Sequence, residues 1–341
     1  MAINIAMWKK ATTTLVRMDS KSEWDALDVV SKWLIATRSG VTTVTLYSCV
    51  IAGLFALRAG VFSWLPWLVM TIGLFVAHGA NNLLNDYTDY SRGIDTNNYF
   101  RTQYGVHPLA QGFWSKPVQI RWFVVSGILG VLSAAYAVVY SRFDPVIIGL
   151  FVYGSLMLLL YTWPLKHIAI GEITIFLIWG PIMIGGVFFV LTRQWSWEVA
   201  LAGVPFGLST ASINIGKHID KSDEDRAIGV HTMPVLVGQT AARWVNLMAI
   251  VLAYAVTFYL VFVTRFLTPV MLIVLIAGPR AWKALSLLAK PRPTQAPPGY
   301  PIWPRWFSVV SFFHNRWFGN LFILGVALDM VVRLLVPAFW R

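Results

Sequence analysis

Long apolar runs recur along the whole chain, and this feature limits its fold more than any other. An apolar segment of about 20 residues spans a bilayer as an α-helix, because backbone groups in lipid must satisfy their own hydrogen bonds. The composition, 57% hydrophobic and 12% charged residues, argues against a water-soluble fold. We predict an all-α membrane protein with nine transmembrane helices, near residues 39–58, 62–88, 120–140, 145–162, 168–192, 197–216, 235–264, 266–289 and 317–340.

The basic residues favour one orientation in the membrane. A net charge of +12 is compatible with nucleic-acid binding, but the lysines and arginines flank apolar runs instead of forming one soluble face. We number the loops between the predicted helices in chain order. Nineteen lysines and arginines belong to the N-terminal segment and the even-numbered loops, against five in the odd-numbered loops and the C-terminus. The positive-inside rule then predicts a cytoplasmic N-terminus and an external C-terminus. We expect membrane lipids as partners and no nucleic acid.

Two segments have patterns unlike the apolar runs. Residues 1–37 are predicted to be a cytoplasmic or interfacial segment, followed by a single transmembrane domain over 38–341. The proline-rich residues 290–316 predict an extended cytoplasmic connection, which either only links two helices or caps the site. In the first segment, four apolar residues share one side of a helix that could lie in the membrane interface: Trp24, Leu27, Val30 and Leu34.

Acidic residues gather at the ends of two predicted helices. At the end of the second helix, Asn85, Asp86 and Asp89 lie at helical spacing, and Asp95 follows one short loop later. The end of the sixth helix faces the same compartment and carries a second acidic segment. Its acids are Asp220, Asp223 and Asp225.

The two acidic segments are arranged alike along the chain. Asp86 and Asp220 are 134 residues and four predicted helices apart, and a glycine, Gly93 or Gly229, follows each segment. We therefore predict two four-helix units that repeat one another, with acidic motifs at 85–96 and 214–229.

Such a pair of acidic segments favours a divalent cation. Carboxylates brought together repel one another unless a cation lies between them, and oxygen ligands without paired Cys or His favour Mg²⁺ over Zn²⁺. The predicted metal ligands are Asp86, Asp89, Asp95, Asp220, Asp223 and Asp225. Neighbouring basic residues fit an anionic ligand such as a diphosphate. These are Arg92, Lys166, Lys217 and Lys221.

The segment from Asn85 to Thr96 reads NDYTDYSRGIDT. It resembles the first aspartate-rich motif of the UbiA-type intramembrane prenyltransferases, and most closely that of the 1,4-dihydroxy-2-naphthoate prenyltransferases. The segment YTWPLKHIAIGEITIFLIWGPIMIGG, which begins at Tyr161, is similar to a further stretch of this family. The second acidic segment departs from the family pattern, because Lys221 stands where the earlier acid is expected.

This resemblance implies a nine-helix bundle of the UbiA type, expected in a bacterial inner membrane with the active site on the cytoplasmic side. It implies Mg²⁺-dependent transfer of a prenyl group from a polyprenyl diphosphate to a lipid-soluble, aromatic acceptor, as in menaquinone-type synthesis. The residues then predicted to be catalytic are Asn85, Asp86, Asp89, Asp220 and Asp225. Three further residues are predicted to contact the substrates: Tyr104, Tyr161 and His78.

Two other functions remain open from the sequence. A cyclase of the same fold would ionise a prenyl diphosphate with the same aspartates and need no acceptor. A transporter would use the polar residues inside the second helix, but acids at helix ends fit this class less well. Glu172, at the start of the fifth helix, either caps that helix or positions a basic group at the site.

Overall fold

The computed structural model describes residues 3–95, 105–336 and 340, which form helices joined by turns and loops. Within these residues no strand forms, and one isolated β-bridge joins Ile168 to His231. The helices are α1 (Ile5–Thr13), α2 (Lys21–Asp25), α3 (Val29–Ala36), α4 (Ser39–Arg58), α5 (Trp64–Ser91), α6 (Lys116–Tyr140), α7 (Pro145–Leu160), α8 (Gly171–Thr192), α9 (Trp197–Asp220), α10 (Ser222–Ala227), α11 (Met233–Val237), α12 (Gln239–Phe262), α13 (Pro269–Leu288) and α14 (Phe307–Leu335).

The predicted all-α membrane fold is confirmed. In the described part of the chain, eight helices are long and apolar enough to cross a bilayer, and each overlaps one predicted span. The remaining predicted span corresponds to α7, which has 16 residues and is shorter than a perpendicular crossing needs. The structure thus supports an integral membrane protein with eight full-length spans and one shorter apolar helix.

The middle of α8 is irregular where it meets α9. A π-helical turn covers Ile178–Ile182, and it contains Pro181, which cannot donate a backbone hydrogen bond. A Cβ atom at Gly180 would lie 2.9 Å from the Cα atom of Gly207 in α9. Glycines therefore let the two backbones touch, as small residues do between helices in lipid.

The last two helices differ from the predicted spans at their N-terminal ends. α13 begins as a 3₁₀ helix over Pro269–Ala277 before it continues as an α-helix. α14 begins at Phe307, ten residues before the predicted start at 317. The end of the predicted 290–316 connection was therefore wrong. The first amides of α14 bind the side chain of Asp220, a partner that the local sequence does not reveal.

The N-terminal segment forms three short helices, so the prediction of one continuous interfacial helix there was wrong. Asp28 starts a new helix, α3, because its carboxylate accepts a hydrogen bond from the amide of Ser31 at 2.9 Å. Trp24 is buried, whereas Val30 is 43% exposed. Trp24, Leu27 and Leu34 pack into one buried cluster, and only Val30 of the four residues points away from it.

The two helices that carry the acidic segments lie in different surroundings. α5 packs along α6, and α9 packs along both α12 and α14. α9 is the most enclosed of the membrane-length helices in the described residues, with 72% of its apolar window buried. The repeat of two four-helix units stays a prediction at the level of the whole fold.

Candidate active site

The end of α5 turns sharply at Gly93. Gly93 has φ 76°, and the amides of Gly93 and Ile94 donate to the carbonyls of Tyr90 and Asp89 at 3.1 and 2.9 Å. This pair of bonds is a Schellman motif, which needs a residue with positive φ after the helix. Glycine meets that need without strain from a Cβ atom. The Asp89 side chain itself is buried.

The end of α10 forms the same turn at Gly229. Gly229 has φ 71°, and the amides of Gly229 and Val230 donate to the carbonyls of Arg226 and Asp225 at 3.2 and 2.8 Å. The offset between the turns is constant, since 225 − 89 and 229 − 93 are both 136. Asp89 and Asp225 therefore occupy equivalent positions in the two acidic segments.

Side chains from both turns line one small polar cleft. Its walls come from the end of α5, the end of α9 with α10, the residue before α4, and the loop between α7 and α8. The lining residues are Arg38, Asn85, Asp89, Asp95, Lys166, Lys217, His218, Lys221 and Asp225. The structure thus brings acids from both segments together with three lysines.

A lysine pairs with each of the two equivalent aspartates. Lys166 Nζ lies 2.8 Å from Asp89 Oδ2, and Lys221 Nζ lies 3.4 Å from Asp225 Oδ1. Burial opposes the charge of Lys166, but Asp89 and Asp225 raise its pKa above the ordinary value. Lys166 therefore keeps its positive charge inside the cleft, where it can bind an anion.

Arg38 is a cleft residue that the sequence did not identify. Its Nη2 atom lies 3.2 Å from Asp86 Oδ1 and donates to Asn82 Oδ1 at 3.2 Å. Arg38 also has φ 57°, an uncommon conformation for a residue with a side chain. In the sequence it is one of the basic residues that set the orientation, and nothing local shows that it reaches α5.

His107, in the loop after α5, is also close to the first acidic segment. Its Nε2 atom is 3.3 Å from Asp95 Oδ2. One ligand atom from each of Asp86, Asp95 and His107 lies within 4.8 Å of the other two, and all three residues are buried. Among the described residues this is the only group of three such potential metal ligands.

The polar cleft adjoins a larger cavity of about 330 Å³. Arg38, Asn85, Lys166 and Lys217 line both spaces. The rest of the larger cavity is mainly apolar, and its walls include Thr13 to Leu15 from the N-terminal segment and Ile302 and Arg305 from the proline-rich connection. The connection therefore borders the cavity and does more than link two helices.

An apolar cavity of about 240 Å³ lies next to this one. His78, Asn81, Tyr161 and Trp179 line both cavities. Nδ1 of His78 is 2.8 Å from Thr45 Oγ1, and its ring centroid is 4.7 Å from that of Trp179. His78 is thus held in place by neighbours on two helices while it faces the cavities.

One known family shares this sequence pattern over most of the chain. The model of the UbiA prenyltransferase family matches residues 46–315. The chain belongs to the UbiA prenyltransferase family. Both acidic segments of this UbiA-family chain lie within the matched range.

Relatives of this UbiA-family chain occur in animals and bacteria. It is 27% identical over 210 residues to UbiA prenyltransferase domain-containing protein 1 of Xenopus tropicalis, which covers 60% of this chain and 59% of the relative. It is 25% identical over 240 residues to 1,4-dihydroxy-2-naphthoate octaprenyltransferase of Bacillus subtilis (strain 168), covering 69% and 71%. The chain therefore spans about three fifths of the length of the Xenopus relative.

A solved UbiA homologue has the same fold. It is the UbiA homolog from Archaeoglobus fulgidus bound to DMAPP and Mg²⁺, with a TM-score of 0.54 and 15% sequence identity. The likeness covers 85% of this chain and 99% of the archaeal chain. The helical bundle is therefore common to both proteins.

Two acids that the sequence placed in the metal site lie elsewhere in this UbiA-family chain. Asp220 accepts hydrogen bonds from the amides of Trp306, Phe307 and Ser308, each at 2.9 Å, so both its oxygens cap α14. Asp223 is exposed and accepts a hydrogen bond from Gln239. Neither residue lines the cleft. Of the acids in the second acidic segment, only Asp225 lines the cleft.

One predicted substrate contact, Arg92, lines neither the cleft nor the two cavities. Arg92 is exposed, and its guanidinium group lies 5.2 Å from the ring centroid of Trp163. Tyr104 lies outside the described residues. The remaining predicted cations, Lys166, Lys217 and Lys221, all line the cleft.

Glu172 binds a histidine at the cleft. Its Oε1 atom lies 2.6 Å from Nδ1 of His218, and both residues are buried. His218 lines the cleft, whereas Glu172 lies behind it. The sequence left open whether Glu172 caps a helix or positions a basic group. In the structure it contacts the basic group, at 2.6 Å.

Proposed function

We propose that this UbiA-family protein transfers a prenyl group from a polyprenyl diphosphate to a lipid-soluble aromatic acceptor in a reaction that needs Mg²⁺. The observation that carries the proposal is the pair of equivalent aspartates, Asp89 and Asp225, facing one buried cleft beside a largely apolar cavity. A polar head and an apolar chain are the two parts of a prenyl diphosphate. The diphosphate head suits the polar cleft, and the prenyl chain suits the apolar cavity.

The carboxylates of the cleft suit a hard divalent cation. Asp89, Asp95 and Asp225 line the cleft, and Asp86 has an oxygen within 4.8 Å of one of Asp95. Asp89 Oδ1 is buried without a hydrogen-bond partner among the described residues. These four residues would hold or orient Mg²⁺, which supplies positive charge as the diphosphate leaves. The archaeal homologue solved with DMAPP and Mg²⁺ supports this choice of ion.

The cationic side chains would bind the diphosphate oxygens. Lys166, Lys217 and Lys221 line the cleft, and Arg38 borders both the cleft and the larger cavity. Charged hydrogen bonds to phosphate are stronger than neutral ones, and they strengthen further as negative charge develops on the leaving group. Asn85, whose amide donates to Thr162 Oγ1 at 3.2 Å, would hold the wall between the two spaces.

The cavities would hold the prenyl chain away from water. Burying each CH₂ group stabilises the complex by about 0.8 kcal/mol. When the C–O bond breaks, the allylic cation needs surroundings that do not supply a nucleophilic water molecule. Tyr161 and Trp179 line both cavities, so their rings are well situated to stabilise that cation.

For the acceptor we propose an aromatic quinone precursor of the dihydroxynaphthoate type. The motif NDYTDYSRGIDT supports this choice, as does the Bacillus subtilis relative. His78 faces both cavities and is the residue we assign to contact the acceptor. The cytoplasmic orientation of the cleft and a bacterial inner membrane remain predictions from the charge distribution and the motif.

A product assay tests the proposal. Purified full-length protein would receive prenyl diphosphates of several lengths and a panel of acceptors that includes dihydroxynaphthoate, 4-hydroxybenzoate and homogentisate. We expect a prenylated aromatic product that requires both Mg²⁺ and acceptor. A hydrocarbon formed without any acceptor would instead identify a cyclase. Failure to consume any prenyl diphosphate would refute the proposed chemistry.

A further inference from the structure

The larger cavity, which adjoins the cleft, has a wall that is rich in positive charge. Four basic residues line it, and among the described residues no aspartate or glutamate does. The four are Arg38, Lys166, Lys217 and Arg305. The first three also line the cleft, where the diphosphate would bind beside the carboxylates. In the part of the chain that the structure describes, Arg305 is the one basic residue of this wall that does not line the cleft.

The backbone fixes Arg305 in place just before α14. Its amide donates to the carbonyl of Ile302 at 3.0 Å, and its carbonyl accepts a hydrogen bond from the Tyr300 hydroxyl at 2.7 Å. The amide of the next residue, Trp306, donates to Asp220 Oδ2 at 2.9 Å. Asp220, which the sequence assigned to the metal site, therefore holds the segment that carries Arg305.

Apolar and aromatic side chains line the same cavity along the start of α14, directly after Arg305. Ser308, Val309, Phe312 and Phe313 all line it, and their spacing places them on one side of the helix. An aromatic ring packs favourably against phenylalanine rings and aliphatic side chains. This wall of the cavity thus combines a cation with a surface that suits an aromatic ligand.

The guanidinium group of Arg305 suits a carboxylate that is shielded from water. Arg305 is only 8% exposed. A guanidinium group has five N–H donors in a planar fork that matches the geometry of a carboxylate, so a group with other contacts can still bind an anion. Charged hydrogen bonds gain strength where water is excluded.

We propose that Arg305 binds the carboxylate of an aromatic acid acceptor, and that this contact selects such acceptors over phenols that lack a carboxylate. This inference rests on the proposed function and names one chemical group that the acceptor must carry. Its physical basis is the separation of the cations. Lys166 and Lys217 line the cleft that would bind the diphosphate, whereas Arg305 lines only the adjoining cavity.

The first test measures binding without turnover. Full-length protein in detergent, with Mg²⁺ and inorganic pyrophosphate present to fill the cleft, would be dialysed against 1-hydroxy-2-naphthoate or 1-naphthol, which differ only in the carboxylate. After correction for uptake by detergent alone, we expect the wild type to bind the naphthoate about 10- to 100-fold more tightly, as one charged hydrogen-bonded contact predicts. Equal affinities would overturn the inference. A preference that disappears when pyrophosphate is added would overturn it as well, because the carboxylate would then occupy the cleft.

Substitutions assign the preference to Arg305. Arg305→Gln and Arg305→Met should both lose it while their affinity for 1-naphthol stays unchanged, and Arg305→Lys should keep part of it, because lysine keeps the charge without the planar fork. Lys290→Gln changes an exposed cation in the same connection and should keep the full preference. A folded Arg305→Gln or Arg305→Met protein that keeps the preference would refute the contact. An equal loss of affinity for both ligands would also refute it, since that result indicates a structural role.

Kinetics on the same proteins separates this inference from the proposed function. In Arg305→Gln, the KM for dihydroxynaphthoate should rise about tenfold or more, with kcat within a few-fold and the KM for the prenyl diphosphate unchanged. Equal transfer by the wild type to 1,4-naphthalenediol and dihydroxynaphthoate would overturn the carboxylate contact and leave the proposed function standing. A protein that binds the naphthoate through Arg305, but transfers no prenyl group to any acceptor, would keep the contact and overturn the proposed function.

Discussion

The two acidic turns have the same backbone but different side-chain chemistry. Around Gly93 and Gly229 the hydrogen bonds follow one pattern, and each turn places one aspartate in the cleft. Each aspartate pairs with a lysine, Asp89 with Lys166 and Asp225 with Lys221. The first segment also has acids at positions 86 and 95, where the equivalent positions of the second segment, at an offset of 136, have Ser222 and His231. The comparison teaches that one repeated backbone turn can present the same aspartate–lysine pair with different side chains around it.

Removal of either equivalent aspartate should give the largest effect. Asp89→Ala and Asp225→Ala should each lower kcat for prenyl transfer about 100- to 1,000-fold, because each loses charge that organises the cleft. Single-turnover kinetics on detergent-purified protein would measure this. The matched control is Asp223→Ala, an exposed acid in the same segment, which should keep near wild-type activity. Full activity in either cleft variant would break the equivalence of the two turns.

The two lysines that pair with cleft aspartates should differ in their effect on donor binding. Lys166→Met should weaken donor binding about tenfold or more, and Lys221→Met should weaken it less, because the Lys166–Asp89 pair is closer than the Lys221–Asp225 pair, 2.8 against 3.4 Å. Titration with a non-hydrolysable prenyl diphosphate analogue would measure both constants. Exposed Lys290→Met serves as the control. A larger effect at Lys221 would reverse the order that the distances predict.

Asp220 should matter for stability and little for catalysis. Asp220→Ala removes a carboxylate that binds three backbone amides of α14, so we expect a loss of about 2 kcal/mol in the free energy of unfolding. Thermal unfolding in detergent would show it. The kcat per folded molecule should stay within a few-fold of wild type. A loss of kcat without a loss of stability would support the sequence-based assignment of Asp220 as a metal ligand.

The glycines should give the smallest and most similar effects. A Cβ atom added in Gly229→Ala meets no atom within 4 Å, so only the positive φ is penalised, by about 1 kcal/mol. We expect a similar loss for Gly93→Ala, because Gly93 has nearly the same φ, 76° against 71°. Paired melting curves would test this. Markedly unequal losses would mean that the two turns share a shape without sharing a structural role.

The sequence predicted the helical segments well because a membrane leaves few alternatives to a helix. It located the first acidic segment through spacing along one helix end, where neighbours in sequence are neighbours in space. It failed for Arg38 and His107, which reach the site from outside that helix. Contacts of this kind depend on packing between segments that are distant in sequence.

By itself the sequence determined the membrane class, the position of most spans and the acids available at two helix ends, because hydropathy and helical period are local properties. Only the tertiary structure decided which acids share the cleft. Asp220 and Asp225 are five residues apart, yet one caps α14 and the other faces Lys221. The direction of each side chain follows from the amides and cations that distant segments bring to it.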